Sequence, residues 1–167
     1  SGALASRFEF PPFSVLDARG GEWQERKRAW CSLGIDAEVD PDGRDVGLTH
    51  NTADWFAAHG KTGGGNTTSI FDPVLCELAY RWFSRAGDQI VDPFAGGSVR
   101  GVVASLLGRR YWGCDLRDEQ ITANREQGRA LCPSLSPEWV CGDSINTLRD
   151  APPADLVFSC PPYGDLE

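Results

Sequence analysis

Residues 89–98 read QIVDPFAGGS, a short apolar run that ends in an aspartate and a glycine-containing turn. Three more β-like runs follow, and the four predicted strands cover residues 89–94, 111–115, 139–143 and 154–160. The segments between the first three runs, residues 98–107 and 118–131, are compatible with helices. Strands that alternate with helices are typical of a parallel sheet with crossover connections. The pattern predicts an α/β fold with a doubly wound, mainly parallel sheet.

An amphipathic helix is predicted ahead of this sheet. Asp72 and Pro73 form a start signal, because the carboxylate can cap a helix and proline is favoured in its first turn. Apolar residues then recur at three-and-four spacing until about residues 86–87, where a glycine ends the pattern. We assign residues 70–167 to one domain that begins near this helix.

Two segments precede that domain. Residues 1–35 contain a basic stretch in which Trp23 and Trp30 stand one heptad apart, the pattern of a short helix. This helix either packs against the domain or contacts phosphate groups. Residues 36–69 are rich in Asp, Gly, Asn and Thr and have no sustained period, so we interpret them as a flexible linker with room for one short helix around residues 53–58.

The composition of the 167 residues excludes several classes of protein. A hydrophobic fraction of 41% and an aromatic fraction of 10% are too high for a wholly disordered chain. No apolar run approaches the ~18 residues of a membrane-spanning helix. The formal net charge of −8 argues against a generally basic nucleic-acid binder and is compatible with a local basic face. The six cysteines include no Cys-x-x-Cys pair and neither histidine completes a zinc spacing, so we expect no metal site. A chain with this much apolar core does not need a disulfide framework, so we expect reduced thiols and a cytoplasmic protein.

Chemically distinctive residues follow each predicted strand, at the edge of a doubly wound sheet where ligands bind. Asp92 precedes a glycine turn that lets a ligand approach the backbone closely. Asp115 comes 23 residues later, where a carboxylate is expected to bind a ribose diol. Asp143 is a candidate acceptor for an adenine amino group or a simple helix cap. The fourth strand ends in Ser159-Cys160-Pro161-Pro162-Tyr163.

These residues resemble the motifs of S-adenosylmethionine-dependent DNA amino-methyltransferases, the group that methylates N4 of cytosine or N6 of adenine. The family's first motif reads Asp-Pro-Phe-x-Gly-Ser-Gly, and residues 92–98 match it with the last two residues exchanged. Its catalytic motif is Asp, Asn or Ser followed by Pro-Pro-Tyr or Pro-Pro-Phe, and residues 160–163 match it with cysteine in the first place. Residues 69–73 resemble the segment that packs on the methionine end of the cofactor. Residues 11–17, and the run 92–101 followed by 159–167, are similar to phage and prophage orphan DNA methylases.

The resemblance implies a Rossmann-like class I methyltransferase fold that binds S-adenosylmethionine and acts on double-stranded DNA, in a bacterial host or a phage. The implied cofactor-binding residues are Phe71, Asp72, Asp92, Pro93, Phe94, Gly96, Gly97, Asp115, Leu116 and Asp143. The implied catalytic residues are Ser159, Cys160, Pro161, Pro162 and Tyr163. Carbonyl groups of the rigid proline turn would draw the amino hydrogens out of the ring plane, and Tyr163 would stack on the flipped base.

Other functions share parts of this pattern. Enzymes that methylate RNA or protein glutamine amides also carry a Pro-Pro-Tyr motif, and they differ in substrate. Cys160 could instead be the nucleophile for methylation at a pyrimidine C5, although that class places its cysteine after a proline. From a different class, the chain could be an inactive cofactor-binding module or one half of a split enzyme.

Complete methyltransferases of this fold have seven strands, and four are predicted here. We therefore expect a domain that is truncated after the fourth strand and completed by a missing C-terminal part or a second chain, since an open parallel edge needs covering. The target-recognition segment of the family would also lie in that part. The chain alone is expected to carry the cofactor site and to give little or no sequence-specific methylation.

Overall fold

The computed structural model describes residues 16–35 and 71–161, together with the backbone of residues 38–39 and 45–46. The helices are α1 Gly21–Cys31, α2 Pro73–Phe83, α3 Val99–Leu106, α4 Asp118–Leu131 and α5 Ser144–Thr147. The strands are β1 Glu38–Val39, β2 Asp45–Val46, β3 Gln89–Asp92, β4 Arg110–Asp115, β5 Glu138–Cys141 and β6 Leu156–Val157. The two-residue strands β1 and β2 pair with each other in antiparallel orientation. The remaining residues of the linker segment, including the short helix considered at 53–58, lie outside the described residues.

Strands β3 to β6 form one sheet in the order β5-β4-β3-β6, and all of its pairs are parallel. The chain moves outward from β3 to β4 and β5, and then returns to place β6 on the other side of β3. The strand order therefore reverses between β3 and β6, which is the topological switch point at which Rossmann-like sheets bind ligands. This arrangement confirms the predicted α/β fold with a parallel sheet.

Apolar residues cover both faces of this sheet. On one face Ile90, Tyr111 and Trp139 belong to a buried cluster that includes residues of α2, α3 and α4. On the other face Val91, Trp112 and Cys114 form a second cluster, against which Val140 and Ala151 pack. Side chains alternate along a strand, so these consecutive residues of β3 and β4 point to opposite faces. The sheet is thus doubly wound, as predicted.

Three glycines make room for the aromatic rings of the larger cluster. A Cβ atom at Gly101 of α3 would stand 2.5 Å from Cζ2 of Trp139, and one at Gly128 of α4 would stand 2.6 Å from Cζ3 of the same ring. A Cβ at Gly113 of β4 would lie 2.8 Å from the Tyr111 hydroxyl oxygen. Because real Cβ atoms essentially never approach this closely, these positions set how near α3 and α4 can lie to the sheet.

Helix α2 begins as the sequence predicts and ends earlier. The Asp72 carboxylate accepts a hydrogen bond from the Val74 amide at 2.9 Å, which confirms the predicted cap. The predicted end was near residues 86–87, but the helix stops at Phe83 because Ser84 has an extended backbone. Buried Arg109 donates to the carbonyl oxygens of Tyr80 and Ser84 at 3.2 and 2.9 Å, so these carbonyl groups at the end of the helix have hydrogen-bond partners.

Strand lengths differ from the predictions mainly in β6. Its predicted range was residues 154–160, whereas Leu156–Val157 are the residues in strand conformation. Within the part of the chain that the structure describes, the strand pairs with β3 through Ile90 and Val91, and no second neighbour extends its ladder. Strand β3 also ends two residues before its predicted limit, at Asp92, because the following proline has no amide hydrogen to donate.

Helix α1 packs on α2 through charged and aromatic side chains. Arg26 donates to both carboxylate oxygens of Glu77 at 2.7 and 2.6 Å, and the Trp30 indole donates to the same group at 2.8 Å. The Trp23 indole donates to Asp72 at 3.2 Å, and Lys27 forms an ion pair with that residue. Both tryptophans therefore bond to residues at the start of α2 or within it, which supports packing against the domain as the role of this helix.

Glu77 is a buried carboxylate held in its charged form. Its relative exposure is 3%, and Arg81 donates a further hydrogen bond to it at 2.8 Å. The hydrogen bond from Arg26 is the largest influence on its pKa, and it outweighs the opposing effect of burial. With the help of Trp30 and Arg81 it lowers the pKa of Glu77 from 4.5 to about 2.

All six cysteines are thiols without disulfide bonds, as predicted. None of the helices in the described part of the chain combines the length and apolar character needed to cross a membrane.

We predict that Gly101→Ala lowers the free energy of unfolding by about 1–3 kcal/mol, because the added methyl group overlaps the Trp139 ring. Chemical denaturation monitored by tryptophan fluorescence measures the effect. Gly21→Ala is the matched control, because a Cβ at that helical position meets no atom within 4 Å. Equal stability of the Gly101→Ala variant and the native chain would show that the ring is not confined as described.

We predict that Glu77→Gln lowers the free energy of unfolding at pH 7 by about 1–3 kcal/mol, because the hydrogen bonds from Arg26, Trp30 and Arg81 lose their charged acceptor. The pKa of Glu77 is lower in the folded chain than in the unfolded chain, so its stabilisation is complete above about pH 4.5 and is lost as the pH falls toward 2. Between pH 4.5 and 2, the free energy of unfolding of the variant should therefore fall less steeply than that of the native chain. Thermal unfolding at several pH values tests this, with exposed Glu126→Gln as the control.

Candidate functional site

The carboxylate of Asp92, at the end of β3, is the centre of a buried polar cluster. The residue has a relative exposure of 0%. Its Oδ2 accepts hydrogen bonds from Arg100 Nε at 2.6 Å and from the Tyr111 hydroxyl at 2.7 Å. Its Oδ1 accepts from the Ser159 hydroxyl at 2.6 Å and from the Phe94 amide at 3.2 Å. These four partners fix the carboxylate within the chain, and direct contact with a cofactor stays a prediction.

The glycine-containing loop that follows β3 has its carbonyl groups turned toward buried donors. Nη2 of Arg100 donates to the carbonyl oxygens of Phe94 and Ala95 at 2.6 and 2.9 Å. Nδ2 of Asn124, a buried residue of α4, donates to the Gly96 carbonyl at 2.8 Å. Gly96 adopts a φ of 48°, in the left-handed region that favours glycine. The loop is therefore shaped by side chains from two helices.

The amide groups of the same loop are also held. The Ala95 amide donates to the Cys114 carbonyl at 2.8 Å, and the Gly96 amide donates to Asp115 Oδ2 at 3.0 Å. Both acceptors belong to β4, so the loop is fastened to the neighbouring strand. Such a loop needs little reorganisation when a ligand binds, which is the geometric basis of preorganised binding.

The other motif residues of the loop lie around this framework. Pro93 and Gly97 are partly exposed, and Phe94 has a relative exposure of 39%. Ser98, which stands where the family motif has its last glycine, is buried and donates its hydroxyl to Gln127 Oε1 at 2.5 Å. The side chain of Ser98 thus points toward α4 and does not contribute to the exposed surface of the loop.

The fourth strand brings the predicted catalytic stretch against this loop. Ser159 donates to Asp92 and accepts a hydrogen bond from the Phe94 amide at 3.1 Å. Cys160 is partly buried and Pro161 is exposed. The structure therefore brings together the two motifs that the sequence separates by more than sixty residues, while Pro162 and Tyr163 lie outside the described residues.

Asp115 ends β4, and Leu116 follows it at the same edge of the sheet. The Asp115 side chain is 19% exposed, and its Oδ1 accepts from the Arg117 amide at 3.0 Å. Leu116 has a relative exposure of 73%, which is unusual for a leucine beside a strand end. A partly accessible carboxylate and an exposed apolar side chain therefore stand next to each other.

A similar pair follows β5. The Asp143 carboxylate caps α5 by accepting a hydrogen bond from the Ile145 amide at 2.9 Å, and it is exposed to solvent. This confirms the cap interpretation, and contact with an adenine amino group stays a prediction. Ile145 has a relative exposure of 74%. The sequence analysis did not include Ile145, although an apolar residue two places after a strand-end aspartate was the available signal.

Phe71 and Asp72 stand at the start of α2, beside the same polar cluster. The Phe71 ring lies 4.7 Å from the guanidinium carbon of Arg100 and contacts Phe158 edge-to-face at 5.6 Å. Asp72 is occupied as the helix cap and as the acceptor for Trp23. The structure thus places Phe71 near the two motifs and gives Asp72 a structural role, with cofactor contact by either residue still a prediction.

Arg100 and Tyr111 are two members of this cluster that the sequence analysis missed. Burial disfavours the charge of Arg100, but the Asp92 carboxylate and the other surrounding groups outweigh it and raise the pKa of the guanidinium. Burial, followed by the charge of Asp92, raises the pKa of the Tyr111 phenol well above 10, so it is a neutral donor. One signal for Arg100 was its position as a lone charge within the apolar helix α3.

The exposed groups at this edge of the sheet fit S-adenosylmethionine. A carboxylate suits its ribose diol, exposed apolar side chains suit the faces of its adenine ring, and the glycine turn leaves room beside the backbone. Leu116 and Ile145 provide such apolar faces after neighbouring strands. Within the described residues, no group of three or more His, Cys, Asp and Glu side chains is arranged to hold a metal ion.

Comparison with known proteins gives partial likenesses. No family model matches the sequence. A stretch of 44 residues, 26% of this chain, is 43% identical to Type II methyltransferase M2.DpnII of Streptococcus pneumoniae, and the chain spans 16% of that relative's length. Among solved structures, TrmN from Thermus thermophilus is 27% identical with a TM-score of 0.48, over 60% of this chain and 30% of that one. The sequence match supports the resemblance to methyltransferases, while the fold assignment rests on the strand order.

Proposed function

We propose that this chain carries the cofactor half of an S-adenosylmethionine-dependent methyltransferase that modifies an exocyclic amino group, N6 of adenine or N4 of cytosine, in double-stranded DNA. The observation that supports this most directly is the contact between the two motifs. Ser159 lies within hydrogen-bond distance of both Asp92, at 2.6 Å, and the Phe94 amide, at 3.1 Å, across the switch point of the sheet. A methyl donor held by the first motif would therefore lie beside the residues of the second.

The cofactor side of the proposed site uses the residues at three strand ends. Asp115 would bind the ribose hydroxyls through its exposed carboxylate surface. Leu116 and Ile145 would contact the adenine ring, and Asp143 would accept a hydrogen bond from its amino group. The loop from Phe94 to Gly97 would hold the amino-acid end. When bound, S-adenosylmethionine supplies an electrophilic methyl group.

The substrate side of the proposed site must make a weak nucleophile reactive. The lone pair of a base amine is delocalised into its ring, so acceptors must draw the amino hydrogens out of the ring plane. A thiol is a poor acceptor, and we assign this task to the backbone carbonyl groups of the Cys160-Pro161-Pro162 turn. Tyr163 would stack on the base after it leaves the duplex, as chemistry on a base generally requires.

We predict that the chain binds S-adenosylhomocysteine and that Asp115→Asn weakens this affinity at least about tenfold, because a neutral amide cannot accept from both ribose hydroxyls. Isothermal titration calorimetry measures the dissociation constant. Asp150→Asn, an exposed aspartate between α5 and β6, is the matched control and should bind like the native chain. Absence of binding by the native chain would contradict the proposed function.

We predict that tritium from methyl-labelled S-adenosylmethionine enters DNA as N6-methyladenine or N4-methylcytosine. The identity of the labelled nucleoside, rather than the rate, is the decisive readout. DNA, RNA and protein acceptors are compared in parallel, followed by nucleoside and amino-acid analysis.

Each other product of that assay contradicts the proposal in a specific way. Labelled 5-methylcytosine would indicate nucleophilic chemistry by Cys160. Label in RNA or in glutamine would show a different substrate for the same type of transfer. Cofactor binding without label in any acceptor would contradict transfer by this chain alone and would indicate a cofactor-binding module or one half of a split enzyme.

A further inference from the structure

We infer that Arg100 is a positioning residue of the proposed site, which shapes the cofactor loop and, through Asp92, sets the place of Ser159 at the start of the predicted catalytic stretch. The inference rests on the proposed function, because it concerns the same site. Arg100 lies on α3 with a relative exposure of 5%, so it is shielded from solvent and acts through its neighbours.

All of the acceptors described for this guanidinium belong to the segment between the end of β3 and the glycine turn. Nε donates to Asp92 at 2.6 Å, and Nη2 donates to the carbonyl oxygens of Phe94 and Ala95 at 2.6 and 2.9 Å. A guanidinium presents its donors in a rigid fork, so the three acceptors are held in a fixed relation. A lysine has a single nitrogen at this end and cannot span the same set.

The same side chain reaches the catalytic stretch by two routes. The Asp92 carboxylate that it orients accepts the hydroxyl of Ser159, which precedes the proline turn. The Phe71 ring lies over the guanidinium at 4.7 Å and contacts Phe158, the residue before Ser159. The cofactor loop and the segment Phe158-Ser159 therefore share one anchor, and a change at Arg100 should displace both.

A second buried arginine offers a matched comparison. Arg109 has a relative exposure of 8% and donates to Ser84 and to the carbonyl oxygens of Tyr80, Ser84 and Leu107. Those acceptors belong to the ends of helices α2 and α3, near the start of β4, and none belongs to the glycine loop. Replacement of Arg109 by lysine therefore removes comparable hydrogen bonds at the amino ends of the strands, away from the proposed site.

The test compares Arg100→Lys with Arg109→Lys in the full chain at a temperature where circular dichroism shows both to be folded. Titration with S-adenosylhomocysteine should give at least a tenfold weaker affinity for Arg100→Lys and a change within twofold for Arg109→Lys. Hydrogen exchange of the Phe94, Ala95 and Gly96 amides in the ligand-free chain should become at least tenfold faster in the first variant alone.

Two results would overturn the inference. One is native-like exchange of the loop amides in Arg100→Lys, and the other is an equal loss of affinity in Arg109→Lys, which would indicate a general effect of stability. If the native chain fails to bind, the proposed function fails, and the exchange comparison still decides whether Arg100 shapes the loop. If Arg100→Lys does not fold, the double variant Asp92→Asn with Arg100→Gln removes both charges together and is measured in the same way.

Discussion

The buried ion pair between Asp92 and Arg100 is the constraint on which the rest of the candidate site depends. Removing two charges from water is costly, and the cost is tolerated when the geometry and the remaining hydrogen bonds are nearly ideal. Both side chains meet that condition through Tyr111, Ser159 and the loop carbonyls. The loop conformation is consequently determined by this ion pair, because altering it would leave charged groups without hydrogen-bond partners.

The strand order explains why this pair can connect distant parts of the sequence. Strand β6 lies next to β3, so the residues that follow both strands meet at one edge of the sheet. Strands β4 and β5 extend the same edge in the other direction, where Asp115 ends β4 and Asp143 follows β5. In the proposed site, the groups for the cofactor would therefore lie on one side of β3 and the groups for the substrate on the other.

Sequence periodicity predicted the regular elements well and the buried polar contacts poorly. Helix α4 occupies the predicted residues 118–131, because its polar pattern and its length are local properties. Strand β6 was predicted five residues too long, since pairing depends on neighbours that a local pattern does not contain. The residues at the strand ends, Asp92 among them, were predicted from their positions and from the resemblance. Arg100 was missed because a charge in an apolar helix is ordinarily expected at the surface.

Tyr111 links the apolar core with the polar cluster in a way that bears on how the protein melts. Its ring packs against Trp139 at 5.8 Å, while its hydroxyl donates to Asp92 at 2.7 Å. The same side chain is thus part of the packed interior and of the site, and neither can loosen without disturbing the other. Loop and sheet should consequently unfold as one cooperative unit, so that partial melting of the glycine loop is suppressed until the core itself opens.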